Sequence, residues 1–353
     1  MPKDTFCGGY KFCGSDVLIN VNNGVLKIGG DGSIGILSHS PDYCFTAHLA
    51  ANYDPDAKRD IFDMALNKML PEGEDRFLYQ VFAGYILFPS CKLQVALVCF
   101  GPGGTGKSTI ANSLAHVLGP DLCSSIGLEE LSKSGSYATP TLKSKMLNLG
   151  AELKSDELVE SAFFKTLASG ESLNVRQIYR APEEMRTTCK LLFLSNTMPR
   201  FRGGTDAELR RMRMLHFNQK PTVTDPQLPQ KLEDESSGIL NWMLEGLAWL
   251  IQHNHMPKGG TRSKDLLDAF ERGNDPIGTF LRESCEFAST YSCTKSTLWD
   301  RYTQWCEKYG QTTEKMENYF FKTLLQRHPE LKSSRITGND GARQYAYRGI
   351  RLI

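Results

Sequence analysis

The segment from residue 101 to residue 109, Gly-Pro-Gly-Gly-Thr-Gly-Lys-Ser-Thr, combines residue types and spacing suited to gripping a phosphate chain. It fits the pattern GxxxxGK[ST], in which the glycines let backbone N–H groups converge on one anion. Lys107 would reach the β and γ phosphates of ATP, and Ser108 would ligate Mg²⁺. The predicted nucleotide-binding residues are Gly101, Gly103, Gly104, Thr105, Gly106, Lys107, Ser108 and Thr109.

The residues on either side of this segment favour the same interpretation. The apolar run from 95 to 100 predicts a buried strand before it, and Ile110, Leu114 and Val117 are spaced as on a helix after it. A helix N-terminus carries partial positive charge, which stabilises phosphate. The alternative is an ordinary glycine turn. The strand before and the helix after make the phosphate loop the better interpretation.

Two further predicted strands end in polar residues that could serve the same phosphates. The run 147–151 leads to Glu152, which would hold Mg²⁺ or polarise the attacking water. The run 190–195 leads to Asn196, whose amide could orient water at the γ phosphate. A solvated acid just past a strand is the alternative for Glu152.

A pair of guanidinium groups, Arg210 and Arg211, precedes the last of these strands at residues 212–217. Such a pair suits an arginine finger, which supplies charge to the transition state and commonly acts from a neighbouring subunit. The motif therefore also implies a ring. The alternative is a surface cluster in which these arginines pair with Asp206 and Glu208.

The overall pattern predicts an α/β protein. Residues 1–90 read as a small α+β module, and 91–220 as a mainly parallel sheet of buried apolar strands covered by helices, the arrangement of an AAA+-like P-loop motor. Residues 221–262 read as a helical segment and linker, with a helix at 238–251. Residues 263–353 form the predicted C-terminal domain.

This C-terminal part resembles a winged helix, a fold often used on DNA, because it shows three helices and a hairpin. The predicted helices are 277–288, 295–309 and 314–327, followed by an alternating strand at 343–351. Seven Lys or Arg against two acids lie between 320 and 353, which favours a DNA contact over a protein contact. The aromatic residues of these helices are predicted to be core.

The overall composition limits the partners and metal sites that the chain can have. Lys and Arg number 41 against 40 Asp and Glu, so no overall charge draws the chain to nucleic acid. The ten cysteines contain no Cys-x-x-Cys pair, which argues against zinc, and several lie in apolar runs as reduced thiols. Signal-peptide and membrane-length apolar patterns are both missing, so we expect a soluble cytoplasmic protein without a membrane partner.

Taken in order, the phosphate loop, Glu152, Ser195-Asn196 and Arg210-Arg211 resemble the motif set of superfamily 3 helicases. The likeness is to the helicase half of phage and plasmid primase-helicases and to poxvirus-type replication proteins. It extends to the segments 20–26, 39–41, 53–55 and 84–85 before the motor, and to 240–242 with 245–246 after it. One departure stands out: Gly150-Ala151 precedes a single acid, where the family often has a pair.

The resemblance implies an AAA+-like ATPase that assembles as a hexamer in the host cytoplasm, translocates on single-stranded DNA and unwinds forked DNA. It also implies a hairpin that points into the channel, placed here at 174–182. Arg176 and Arg180 would meet phosphates, and Tyr179 would stack on a base. An ordinary hairpin with a solvated tip is the alternative.

Two other functions remain open at this point. One is a nucleotide-gated DNA clamp or loader with weak ATPase activity, and the other is a P-loop kinase of a small molecule, although no substrate lid is evident. Relatives of this kind usually carry a primase or polymerase domain in the same natural chain, and no catalytic acid cluster of that sort precedes the motor. We therefore expect either a standalone helicase or the C-terminal part of a longer replication protein.

Overall fold

A computed structural model of the chain describes residues 8–133, 136–150, 158–175, 181, 183–202, 210–222, 224–311, 317–337 and 343–353. The chain divides into two compact units, Met1–Leu267 and Asp268–Ile353, and each has its own hydrophobic core. Within these described stretches, no helix combines the length and the apolar character needed to cross a bilayer. The division of the chain into four parts stays a prediction.

The first unit begins with an antiparallel sheet in simple chain order. Its strands are β1 (Tyr10–Cys13), β2 (Asp16–Val21), β3 (Gly24–Ile28) and β4 (Ile34–Leu37). The short alternating runs at 17–19 and 24–28, which predict strands, lie in β2 and β3, and their apolar side chains are buried.

Helices and a second sheet follow. In chain order they are α1 (Asp60–Met69), α2 (Gly73–Ile86), β5 (Ala96–Phe100), α3 (Lys107–Leu118), β6 (Cys123–Ser124), α4 (Leu128–Ser132), β7 (Leu147–Gly150), β8 (Leu158–Glu160), α5 (Ser161–Ser169), β9 (Leu173–Val175), β10 (Glu183–Met185), β11 (Lys190–Ser195), β12 (Arg200–Arg202), β13 (Met212–His216), α6 (Leu228–Asp234) and α7 (Ser236–His253).

The prediction of an α/β fold with a parallel sheet is confirmed. Five strands pair in the order β13-β5-β11-β7-β6, and every pairing is parallel. Strand β11 is buried along its whole length, as its continuous apolar sequence requires in a sheet with both faces covered. All five carboxyl ends therefore lie at one edge, where the polar residues after β5 and β11 meet.

Two glycines allow α2 and α7 to cross closely. A Cβ on Gly84 would lie 2.2 Å from the backbone nitrogen of Leu247, and a Cβ on Gly246 would lie 2.1 Å from the carbonyl oxygen of Gln80. Helix α7 also packs on α3, so this crossing supports the helix that follows the glycine loop. The family-like segments at 84–85 and 245–246 thus form the crossing.

Two segments predicted as irregular contain helix. The sequence of residues 218–230 is typical of a linker, but α6 begins within them at Leu228 and packs on α1 and α3. Residues 255–263, rich in Pro, Gly and Lys, predict a loop, but α8 (Thr261–Asn274) begins before this segment ends. Helix α6 is only seven residues long and has a proline in its first turn, and α8 begins with the five polar residues 261–265, so neither start carries the apolar spacing that predicts a helix.

The second unit contains α9 (Pro276–Ser284), β14 (Cys285–Thr294), α10 (Lys295–Lys308), α11 (Glu317–Arg327), β15 (Lys332–Thr337) and β16 (Arg343–Leu352). The sheet order is β14-β16-β15, all antiparallel. The helix expected at 277–288 is therefore too long: it ends at Ser284, because the residues after it pair with β16. Tyr302, Trp305 and Phe320 are buried, which confirms their prediction as core.

Candidate functional site

The glycine loop at 101–106 joins β5 to α3 at the carboxyl edge of the parallel sheet. Gly101 has a φ of +151°, and a Cβ there would lie 1.9 Å from the carbonyl oxygen of Phe217. Gly106 has a φ of +84°, and a Cβ there would lie 2.3 Å from Cε of Met69. Side chains at these positions would disrupt the loop, so its geometry needs glycine whatever it binds.

The side chain of Lys107 folds back over this loop and is only 7% exposed. Its Nζ donates to the carbonyl oxygens of Gly101 at 2.6 Å and Pro102 at 2.8 Å, and to Oδ1 of Asn196 at 2.9 Å. The buried hydroxyl of Thr105 donates to Pro102 at 3.0 Å and fixes the shape of the loop. The structure thus brings the predicted lysine and the predicted amide together.

The remaining loop residues face solvent. Gly103, Gly104 and Ser108 are exposed, and Thr109 is half-buried. The first N–H groups of a helix have no partner within that helix, so the start of α3 can offer them to an anion. Mg²⁺ prefers oxygen ligands, and the exposed hydroxyl of Ser108 fits this requirement. The second predicted ligand, Glu152, lies outside the described residues.

Strand β7, which leads toward Glu152, ends in a glycine for a steric reason. A Cβ on Gly150 would lie 2.5 Å from the ring of Phe193 and 2.6 Å from the carbonyl oxygen of Ile126. Gly150 and Phe193 are register partners on β7 and β11. The packing of the sheet therefore admits no side chain at residue 150, one of the two residues that precede the single acid.

Arg210 and Arg211 directly precede β13, the parallel neighbour of β5. Arg210 is exposed, and Arg211 is half-buried. Because β13 has five residues, the arginines at its amino end lie about 16 Å from the sheet edge that holds the glycine loop. The two acids offered as alternative partners, Asp206 and Glu208, lie outside the described residues.

The predicted channel hairpin has both of its arms in the structure. Strands β9 and β10 pair antiparallel, with Val175 opposite Glu183. The three residues predicted to contact DNA, Arg176, Tyr179 and Arg180, lie between these arms and outside the described residues.

A polar cluster beside the loop was not predicted. Arg262 forms an ion pair with Glu72 at 3.2 Å and donates to Asn218 at 3.3 Å. Burial, and then the charge of Arg262, lower the pKa of His216, which ends β13. Asp75, 2% exposed, accepts from the backbone of residue 260, and burial raises its pKa. These groups come from three distant chain segments, and no local pattern joins them.

The second unit presents a basic surface on α11, β15 and β16. Among the described residues, Lys322, Lys332, Arg343 and Arg348 have no carboxylate partner. Arg335 lies over the Tyr345 ring, 4.8 Å from its centroid, and that tyrosine is 56% exposed. Positive charge beside an exposed aromatic ring suits contact with nucleic acid.

Two family models match the chain. Residues 99–211, which contain the glycine loop and the arginine pair, match a family of unknown function, DUF5906. Residues 276–353 match the RFX DNA-binding domain. The second match covers α9 to β16, the part of the chain that carries the basic surface.

The chain is also similar to a viral protein in sequence and to solved structures in fold. A protein of Acanthamoeba polyphaga mimivirus named as a helicase is 26% identical over 220 residues, which cover 58% of this chain and only 22% of that protein. An apo structure of the C-terminal region of NrS-1 aligns with a TM-score of 0.53 at 13% identity, covering 95% of this chain and 94% of the other. A second such structure gives 0.53 at 11% identity, with 94% and 95% covered. The chain therefore has the fold of the NrS-1 region and sequence similarity to a viral protein with a helicase name.

Proposed function

We propose that the chain is an ATP-driven helicase motor of the superfamily 3 type, acting as a hexameric ring on single-stranded and forked DNA. The observation that carries this proposal is the position of Lys107. Its ammonium lies over a glycine loop at the carboxyl edge of a parallel sheet and contacts Asn196 from the neighbouring strand. Ligands of open α/β sheets bind at this edge.

Binding of ATP would replace the three neutral acceptors described around Lys107 with charged ones. Two backbone carbonyls and one amide oxygen now hold the ammonium. Phosphate oxygens form stronger, charge-assisted hydrogen bonds with it, and the N-terminus of α3 adds favourable N–H groups. Asn196 would then be released to orient a water molecule at the γ phosphate.

Ser108 and Glu152 are the residues proposed to hold Mg²⁺. When bound there, the ion would neutralise charge on the β and γ phosphate oxygens. The carboxylate of Glu152 would also hold and polarise the attacking water. Thr105 has a structural part in this scheme, because its hydroxyl keeps the loop closed around the phosphates.

The position of the arginines supports a ring. Arg210 and Arg211 lie at the sheet edge opposite to the glycine loop, too far from it to reach phosphate bound to the same subunit. A finger from either residue would therefore act on the site of a neighbouring subunit. The strand order, with β5 between β11 and β13, supports the AAA+-like assignment of this motor.

Two parts of the chain are proposed to contact DNA. The first is the segment between β9 and β10, through Arg176, Tyr179 and Arg180, which would bind phosphates and stack on a base. The second is the winged-helix-like unit at 268–353, and its match to the RFX DNA-binding domain supports this assignment. The helicase name of the mimivirus protein supports coupling of these contacts to ATP hydrolysis.

The first experiment measures phosphate release and strand displacement on forked DNA. We expect Lys107→Ala to abolish both activities, and Tyr179→Ala to abolish displacement and DNA stimulation of the ATPase. Lys68→Ala, at an exposed position on α1, is the control and should behave as wild type. Wild-type ATPase activity that ignores DNA, without displacement, would exclude the motor and favour the clamp or the kinase.

The second experiment tests the ring by subunit mixing. Lys107→Ala and Arg211→Ala subunits should each be inactive alone. In mixed rings, an intact Lys107 faces an intact Arg211 from its neighbour at about one quarter of the sites, so ATPase activity should return. The same mixture with Arg210→Ala identifies which arginine acts. If no mixture regains activity, action between subunits is wrong.

A further inference from the structure

A cavity of about 560 Å³ opens at the amino edge of the parallel sheet, opposite to the glycine loop. Its walls come from β1, from residues 89–92 before β5, from residues 143–145 before β7, and from residues 184–188 at and after β10. All of these belong to the first unit. Neither the proposed ATPase site nor the basic surface of the second unit includes any of them.

The lining is strongly basic in a chain with a net charge of only +1. Glu184 is the single acid among the lining residues, and the basic ones are Lys11, Lys92, Lys143, Lys145 and Arg186. Five cations around one cavity create a positive potential that favours a polyanion. The wall also offers hydroxyl donors, including Ser90 and Ser144.

Most of these cations are held by neutral groups. Lys11 donates to the carbonyl oxygen of Tyr43 at 2.5 Å, and Lys145 donates to that of Asp121 at 2.7 Å. Nε of Arg186 donates to a serine hydroxyl at 3.0 Å. Of the five lining cations, Lys143 is the one that forms an ion pair with a described residue, Glu183 at 3.5 Å. The positive charge of the other four is therefore available to a ligand.

An aromatic ring stands beside these cations. Phe12 is 44% exposed and packs edge-to-face on Phe88, with 5.2 Å between ring centroids. Nζ of Lys92 lies 4.8 Å from the Phe88 ring on the same wall. An exposed ring next to ammonium groups is the arrangement that stacks an unpaired base while its phosphates are neutralised.

Hydrogen bonds join the segments that line the cavity. Nζ of Lys190, 1% exposed, donates to the carbonyl oxygens of Phe88 at 2.6 Å and Thr188 at 2.7 Å. The Tyr10 hydroxyl donates to the same Thr188 carbonyl at 3.1 Å. These contacts tie β1, the segment before β5 and the start of β11 together, so the lining is organised before any ligand arrives.

We infer that this cavity binds a short stretch of single-stranded nucleic acid, with phosphates on Lys92, Lys145 and Arg186 and one unstacked base on Phe12. Two residues of strand β10 line the cavity, and β10 is one of the two paired strands on either side of the proposed DNA-contacting segment in the chain. The inference rests on the proposed contact with single-stranded DNA, but it requires neither ATP nor a ring.

The test uses the full chain and a fluorescent oligo-dT, with anisotropy measured over a range of salt concentrations. Lys92→Glu with Arg186→Glu should weaken binding about 10-fold or more and lower the salt slope by about 1.4, since each phosphate contact on single strands contributes about 0.7. Phe12→Ala should weaken binding about 10-fold with little change in slope. Lys58→Glu with Lys68→Glu, at exposed positions away from the cavity, carries the same charge change and is the control.

Crosslinking with iodouracil-containing oligonucleotides then locates the base, and we expect the crosslink on the peptide that contains Phe12. ATPase activity without DNA should stay at the wild-type level in all cavity variants. If cavity variants bind like the control while Tyr179→Ala loses binding, the inference is overturned and the proposed function stands. Wild-type protein that binds no single strand would overturn both. Protection of the same peptide by pyrophosphate as effectively as by oligo-dT would assign the cavity to a small anion instead.

Discussion

Replacing Gly84 with alanine is expected to destabilise the first unit, because the new methyl group falls inside the crossing of α2 and α7. It would lie 2.2 Å from the backbone nitrogen of Leu247 and 2.4 Å from the carbonyl carbon of Gly246. These atoms belong to the backbone of a helix, so no change of side-chain rotamer relieves the contact. Since carbon contacts need about 3.5 Å, the helices must separate by about 1 Å.

Overpacking of this kind costs about 1–3 kcal/mol. Separation of the helices also loosens the contacts of Trp242 with Phe62 and Tyr79, whose ring centroids lie 5.0 and 5.7 Å away. A loss of about 3 kcal/mol lowers the Tm of a unit of this size by roughly 6–12 °C, which calorimetry resolves. Gly35→Ala is the control, because its added carbon meets nothing within 4 Å. If both variants melt within about 2 °C of each other, the steric reasoning is refuted.

Three further predictions concern the second unit, the buried acid and the loop. Arg327→Met should lower the unfolding free energy of the second unit by about 3–5 kcal/mol, because it leaves the buried carboxylate of Asp275 without two charged hydrogen bonds. Arg351→Met breaks the exposed ion pair with Glu286 and should lower it by less than about 1 kcal/mol. Tryptophan fluorescence in urea measures unfolding of both variants. Burial raises the folded-state pKa of Asp75, so its favourable contribution is present below the unfolded pKa and lost as pH rises through the folded value. Asp75→Asn should therefore gain Tm relative to wild type as the pH rises above about 4, the usual pKa of an unfolded aspartate. Asn196→Asp places a carboxylate beside the Lys107 ammonium, so it should weaken binding of a fluorescent ATP analogue roughly 10-fold.

Each of these predictions has a contradicting outcome. Equal losses for the two arginine variants would show that burial of the pair contributes nothing. A constant Tm difference between Asp75→Asn and wild type across the pH range would contradict the raised pKa. Unchanged affinity in Asn196→Asp would mean that phosphate does not compete for the ammonium of Lys107.

Local features around the glycine loop could be predicted because the residues involved are close in sequence. The glycine loop, the strand before it and the helix after it occupy one continuous stretch, so residue type and spacing describe the whole unit. Continuous apolar strands likewise predicted a sheet buried on both faces, and β11 has the predicted bounds of Lys190 and Ser195. The meeting of Lys107 with Asn196 followed from parallel strands with a common carboxyl edge.

The predicted ends of helices were wrong where tertiary contacts opposed the local sequence preference. The apolar spacing after Ile277 continues past Ser284, yet Cys285 begins a strand because β16 offers it hydrogen bonds. Helix α8 begins earlier than predicted, at a place where Asp75 of α2 accepts a hydrogen bond from the backbone N–H of Gly260, and Glu72, just before α2, accepts one from that of Arg262. No window of sequence contains both partners of such contacts.

The sequence by itself determined the strand, glycine loop and helix around residue 101, the burial of the strands and the aromatic core of the second unit, since each depends on residues a few positions apart. Only the tertiary structure decided the order of the strands, which places Arg210 and Arg211 at the edge away from the loop. It also decided the crossing of α2 with α7 and the gathering of five cations around one cavity. These arrangements join residues far apart in the chain, and packing of the whole fold is what selects them.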